Sequence, residues 1–365
     1  MGPVRLLLAL LVLDSHHQVL PFATLSGHEA VQVFFVLSGF YMALILDPDQ
    51  GDYPGAGSFW LSRFLRLYPA YWLVLGLSLL ALLGLDVHAL TTRAAWLKAV
   101  NSGAGPALAT LWTGILGQEW LFGLGLAPGG WLVSTPLGEG NLWHLSPVIQ
   151  AWSLSLELYF YLLAPWLVRR SSRTLWLIAA ASLALRLAGG LAGLNAVFLK
   201  RFFPLELWLF TAGVLSWRLY ARRLAAGRAP GRAWGLAARW GLPAALLAAG
   251  ALPQPWRLAL LIPLACLALP GAFHACRRSR GDRFLGAVSY PFYLVHYLVI
   301  ALVEEYAPDP GSAAASLVIV AGSLVLAALI HLGLERPVDR FRHRLARRRA
   351  PAPARPLLPA PQPAG

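Results

Sequence analysis

From residue 4 to residue 334 the chain is a succession of apolar stretches, most close to the ~20 residues that a helix needs to cross a bilayer core. They run over 4–22, 30–46, 68–86, 148–168, 174–192, 203–220, 236–252, 257–275, 284–304 and 314–334. Nothing between them is long enough to be a soluble domain. Charged residues are 13% of the 365 and hydrophobic ones 58%, whereas a soluble domain carries about 25% charged residues. Lipid offers the backbone no hydrogen-bond partners, so such runs must satisfy themselves as helices. The expected fold class is an all-α, polytopic transmembrane helix bundle. The segment from Val4 to Leu13 has the length of a signal-peptide core. Its charged region is a single Arg5 and no A-x-A site follows, so it is read as a retained first span.

Net charge is +14, but the basic residues sit in short loops rather than on a soluble module, which argues against nucleic acid. Their distribution predicts topology. With a cytoplasmic N-terminus and ten spans, one side holds 23 Lys/Arg, including Arg63, Arg66, Arg169, Arg170 and the arginines of 218–239 and 277–283. The other side holds five, together with the acidic Glu304, Glu305 and Asp309. An eleventh apolar stretch, 107–127, is interrupted by Gly114, Gly117, Glu119, Gly123 and Gly125. If it crossed, the charge asymmetry would largely collapse, so it is expected to be re-entrant or interfacial. Both termini are then cytoplasmic. Residues 1–337 form the membrane domain, and 338–365 a basic, then Pro/Ala-rich tail, expected to be disordered from Arg342 onward. Cys266 and Cys276 offer neither a disulfide framework nor metal-ligand spacing.

Ionisable and hydroxyl groups inside apolar spans are costly and therefore informative. Arg5 and His16 are eleven residues apart, which on one continuous helix gives nearly the same azimuth and an axial offset of roughly 16 Å. Taken alone, the pair reads more readily as a topology arginine and a core histidine. Ser38 and Gly39 interrupt the aromatic run Phe34–Phe40, as close helix packing requires. Arg63 and Arg66 share a helix face and suit a phosphate-bearing ligand, or simple anchoring at the membrane boundary. Ser153, Glu157 and Tyr161 fall on one face after Trp152, and Glu157 needs a partner, with Arg186 a candidate. Ser289, Tyr293 and His296 form a second stripe. His331 and Glu335, followed by Arg336-Pro337, read as a structural group.

Taken in order, these motifs resemble the membrane acyltransferase-3 family, O-acyltransferases of cell-envelope glycans and secondary metabolites. R-x10-H is matched by Arg5 and His16, F-F-x-x-S-G-F by Phe34–Phe40, and R-x-x-R by Arg63 and Arg66. The W-S-L-S-x-E signature is matched by Trp152–Glu157, extending to Tyr161. The L-G-x-x-S-Y block is matched at Leu285–His296, and E-R-P at Glu335–Pro337. The match runs from Arg5 to Pro337. The chain ends soon after, without the hydrolase-like extension some relatives carry, which leaves small acceptors open.

The resemblance implies a cell-membrane enzyme that moves an acyl group, by default acetyl, from cytoplasmic acyl-CoA to a hydroxyl of a glycan or small-molecule acceptor. Acyl-CoA is then a co-substrate, with no bound cofactor and no metal needed. Arg63 and Arg66, assisted by Arg5, would bind its phosphates, and the thioester would reach His16 deep in the bilayer. His16 would be the general base. Glu157 would orient His16 or bind the acceptor, and Ser38, Trp152, Ser153, Tyr161, Ser289, Tyr293 and His296 would line the pocket. The competing reading is a transporter or flippase that uses the same His, Glu and Arg as a substrate or proton path.

Overall fold

The computed structural model describes residues 1–47, 53, 55–127, 130–133, 141–194, 196–277 and 279–347. Helices α1 (Gly2–Asp14), α2 (Gly27–Ile45) and α3 (Ala56–Leu80) are followed by the shorter α4 (Arg93–Ala99) and α5 (Gly105–Gly114). An antiparallel hairpin, β1 (Leu124–Ala127) with β2 (Gly130–Val133), pairs Leu124 with Val133. The chain continues through α6 (Ala151–Leu167), α7 (Ser172–Leu191), one-turn α8 (Ala196–Leu199), α9 (Phe203–Ala225) and α10 (Arg232–Ala248). It closes with α11 (Gln254–Cys276), α12 (Arg280–Tyr306), α13 (Ala313–Ile330) and α14 (Arg336–Arg347).

Each of the ten apolar stretches meets a helix. Among the described residues, six helical segments are long and apolar enough to cross a membrane: Gly27–Ile45, Ala56–Leu85, Ser172–Leu191, Trp256–Cys276, Arg280–Tyr306 and Ala313–Arg342. Their outward faces carry exposed apolar side chains such as Trp176, Leu177, Leu317 and Leu329. Water would penalise such a surface, whereas hydrocarbon accepts it. The fold is thus an all-α, multi-pass membrane bundle with a minor hairpin that the sequence reading did not anticipate.

Two expectations need correction. The first span does not run as a helix to residue 22. It stops at Asp14, whose carboxylate accepts the backbone N–H groups of Val19 and Leu20 at 2.9 and 2.7 Å and the Thr24 hydroxyl at 2.5 Å. Asp14 thereby satisfies the loop's own donors and draws 15–24 back over the helix end, while Pro21 cannot continue a helix. The tail expected to be disordered from Arg342 is helical to Arg347, with Arg342 paired to Asp339 at 3.1 Å. Residues 348–365 lie outside the described residues.

The 107–127 stretch is not one helix. α5 has ten residues, about 15 Å of rise, half of a bilayer core. It ends where Ile115 and Gly117 take positive φ, and a 3-10 turn at Gln118–Phe122 leads to the hairpin. Gly117 permits that conformation without strain.

At the centre, α2 crosses α9 at very short range. A Cβ placed on Gly39 would stand 2.0 Å from the Phe210 carbonyl oxygen, and one on Gly213 would stand 2.0 Å from that of Val36. The glycines face each other's backbones, the small-residue packing that membrane helices use. α2 itself starts on a capping box, Ser26 with Glu29, as S-x-x-E predicts.

Candidate active site

One end of the bundle carries an arginine-lined cleft of about 290 Å³. Arg5 from α1, Arg63 and Arg66 from α3, Arg283 from α12 and Arg342 from α14 line it, with Asp282 and Asp339. The arginines are not equivalent. Arg66 is tied to the buried Glu335 at 3.5 Å and to Asp339 at 3.7 Å. Glu335 also meets His331 at 2.9 Å, so the R-x-x-R and E-R-P motifs are one ion-pair cluster. Among the described residues Arg63 donates to hydroxyls, Tyr53 at 3.1 Å and Ser62 at 3.3 Å. Arg5 lies 5.3 Å over the Tyr41 ring. Neither Arg5 nor Arg63 has a carboxylate within 4 Å among the described residues, and the Nε of each is buried without a partner there.

Arg5 also lines a second, smaller cavity of about 60 Å³ with Phe34, Ser38, Ser153, Glu157, Ser289 and Tyr293. Ser38 donates to Glu157 at 2.5 Å, and Tyr161 donates to the same carboxylate. The candidate pairing of Glu157 with Arg186 does not form. Arg186 instead holds Glu206, which also accepts twice from the Gln32 amide, at 3.0 and 2.8 Å. Ser153 meets the Tyr293 hydroxyl at 2.7 Å. The i, i+4 spacings on α6 and α12 therefore bring Ser153 and Glu157 to one cavity with Ser289 and Tyr293, while Tyr161 and His296, expected in the same stripes, do not line it. Ser38 points into it while its neighbour Gly39 makes the helix crossing.

Tyr293 also borders a histidine pair, its ring 5.7 Å from that of His296. His296 is fully buried, and its Nδ1 lies 2.7 Å from the Tyr293 carbonyl oxygen. A carbonyl only accepts, so Nδ1 carries the proton and Nε2 presents a lone pair, with no partner among the described residues. The ring stacks on His16 at 5.8 Å. His16 Nδ1 lies 2.9 Å from the Tyr297 hydroxyl. Because α1 stops at Asp14, His16 stands in the turn beyond it, its side chain exposed rather than deep in a continuous helix. None of the recorded hydrogen bonds of Glu157 reaches His16. Trp152 does not line the cavity. It packs between His28, stacked at 5.6 Å, and the Arg201 guanidinium, 4.8 Å over its ring.

Four residues of this arrangement escaped the sequence reading. Tyr297 follows His296 directly but resembles a belt tyrosine. Arg342 was assigned to the tail, Arg201 was counted as a loop charge, and His28 lies in no motif.

A lipid-facing helix bundle that carries an arginine cleft, a Ser/Glu/Tyr cavity and a histidine pair defines a multi-pass membrane protein with polar groups in its interior. The chain belongs to the acyltransferase family whose model is described as "Acyltransferase domain", which matches residues 4–332. It is similar to the acyltransferase MdmB of Streptomyces mycarofaciens, 29% identical over 385 aligned positions that cover 93% of this chain and 86% of the relative. It is also similar to the exopolysaccharide production protein ExoZ of Rhizobium meliloti (strain 1021), 25% identical over 323 positions, 86% of this chain and 90% of the relative. No solved structure matches the chain. The protein is accordingly a membrane acyltransferase of bacterial type.

Proposed function

We propose that this acyltransferase takes its acyl group from acyl-CoA on the cytoplasmic side and transfers it to a hydroxyl at the opposite mouth of the bundle, with His16 as general base. The observation that carries this reading is that Arg5 belongs to both the arginine cleft and the inner cavity. A phosphate-bearing donor held at the cleft would thus have its thin arm aimed inward. The line from Arg5 past Ser38, Glu157, Ser153 and Tyr293 ends at His296 and His16. The inner cavity, at about 60 Å³, holds only a handful of waters at ~10–15 Å³ each, so side chains around Arg5 and Phe34 must part to admit the arm. Arg5 and Arg63 carry phosphate binding in this reading, joined by Arg342, while Arg66 holds the cleft's shape through Glu335.

In the transfer step the acceptor oxygen attacks the thioester carbonyl carbon and its proton passes to His16. The tetrahedral intermediate collapses, the C–S bond breaks, and the leaving thiolate takes that proton. The products are an ester and the CoA thiol. Tyr297 and His296 keep the His16 ring in place. The acyl group is taken to be acetyl. The acceptor is a glycan or small-molecule hydroxyl; the glycan side of that range has the support of one relative's name, an exopolysaccharide production protein.

The proposal includes ten crossings with both ends cytoplasmic. Its support is that Gly2, Arg63, Arg283 and Arg342 gather at one bundle end, opposite His16 and Arg257. The decisive experiment is CoA-thiol release from acetyl-CoA by purified protein in detergent, where transport cannot be scored. His16→Ala with an unchanged melting profile should lose about 10²–10⁴-fold in turnover. A folded His16→Ala variant with wild-type turnover would sink the general-base role.

A further inference from the structure

Acyl transfer through a tetrahedral intermediate needs a positive group where the oxyanion develops, and in a low-dielectric site such a group is among the largest catalytic terms. The path described so far supplies a base and no such group. Arg201, in the turn between α8 and α9, is placed for it. Its guanidinium carbon lies 4.4 Å from the centre of the Phe122 ring and 4.8 Å from that of Trp152. The two aromatic faces hold it by cation–π attraction without consuming its N–H donors. Among the described residues no carboxylate lies within 4 Å of it. Its Nε is buried without a partner there, and its recorded hydrogen bond is a long one to the Val197 carbonyl at 3.5 Å. By contrast, Arg186 is tied to Glu206 and Arg257 to Glu29.

Its position relative to His16 is fixed through α2. Trp152 stacks on His28 at 5.6 Å. The preceding Gly27 abuts His16, a Cβ there standing 3.6 Å from His16 Nε2. A half-buried cation with spare donors and no described carboxylate within 4 Å, set one aromatic contact from His28 and so close to the turn that carries His16, is costly to keep for structure alone.

We propose that Arg201, cradled by Phe122 and Trp152, is a further catalytic residue that donates to the thioester carbonyl oxygen and stabilises the oxyanion formed as the acceptor attacks. The C=O electron pair moves to that oxygen, Arg201 meets the charge, and the pair returns as the C–S bond breaks. This inference rests on the acyl-CoA reading above.

The test measures CoA-thiol release from acetyl-CoA in detergent, with water as the acceptor. Arg201→Gln should lower kcat by about 10²–10³-fold, the usual loss for one oxyanion donor, with KM for acetyl-CoA unchanged. Added methylguanidinium should restore rate to Arg201→Ala, which a purely structural role would not allow. If Arg201→Gln does not fold, Arg201→Lys carries the test, since it keeps the cation over the rings but loses the planar fork. A folded Lys variant at full rate would overturn the assignment. Unchanged hydrolysis in a folded Arg201→Gln, with only transfer to added sugars lost, would make Arg201 an acceptor contact and also overturn it. Absence of thiol release by the wild-type protein, in contrast, defeats the acyl-CoA reading itself.

Discussion

The glycine contact between α2 and α9 makes the sharpest demand on the sequence. Substituting Gly39→Ala introduces one methyl group where 2.0 Å separates its position from the Phe210 carbonyl oxygen. An ordinary contact begins at 3.4 Å, so the helices must part by more than an ångström or shear. The obstacle is backbone, which cannot swing aside as a side chain would. Overpacking of this kind costs about 1–3 kcal/mol, and the backbone obstacle argues for the upper part of that range. The displacement is also felt next door, where Ser38 reaches Glu157 at 2.5 Å. Moving Ser38 outward by an ångström would leave that hydrogen bond outside good geometry. The measurement is a melting curve of purified protein in detergent, paired with acetyl-CoA turnover on the folded fraction. A lower midpoint and a reduced specific rate are expected. Gly213→Ala, which meets Val36 at 2.0 Å, should behave likewise, and the double substitution should cost less than the sum because both widen one gap. A Gly39→Ala protein with wild-type midpoint and rate would refute the close crossing.

The arginines of the cleft should separate by assay. Arg63→Ala with Arg342→Ala is expected to raise KM for acetyl-CoA and flatten its salt dependence, with the melting midpoint nearly unchanged. Arg66→Ala is expected to lower the midpoint by up to about 3 kcal/mol equivalent, since it leaves Glu335 buried and short of a cation, and a KM effect without a stability effect would reverse the division. Glu157→Ala should cost about 1–3 kcal/mol for each hydroxyl it abandons, Ser38 and Tyr161. Glu157→Gln, which keeps an acceptor oxygen, should recover most of that in the same melting assay, and equal losses in both would show that packing rather than hydrogen bonding matters there.

Much of this arrangement was legible because membranes restrict the alternatives. Apolar length located the helices, and interrupting glycines flagged 107–127 as something other than a span. The i, i+4 spacings of Ser153, Glu157 and Tyr161, and the Ser289–Tyr293–His296 stripe, put both sets on faces that meet at one cavity. What periodicity cannot carry is long-range pairing. Arg186 and Glu157 were matched as the available opposite charges, yet Arg186 finds Glu206, twenty residues on. The end of α1 was missed for a similar reason. Asp14 looks like one more polar residue near a helix end until its loop folds back to donate to it. The hairpin after Gly123 had no alternating pattern strong enough to oppose the helical reading of its apolar residues.

The coupling of Arg66 to Glu335 alters how the cleft works. Read separately, R-x-x-R looked like a phosphate clamp and E-R-P like a helix stop. Joined, they set the charge that a ligand meets. Of the five arginines around the cleft, Arg66 has its charge answered by Glu335 and Asp339, and Arg342 shares Asp339. Among the described residues Arg5, Arg63 and the exposed Arg283 have no carboxylate within 4 Å, and of these three Arg5 and Arg63 have buried Nε groups without partners. An anion entering the cleft therefore gains most by moving inward, toward Arg5, rather than by staying near the rim. Since Arg5 is also the wall of the inner cavity, the charge arrangement that would recruit the phosphate-bearing donor proposed above would also aim its arm into that cavity. A symmetric clamp of two free arginines would bind such a ligand without giving it a direction.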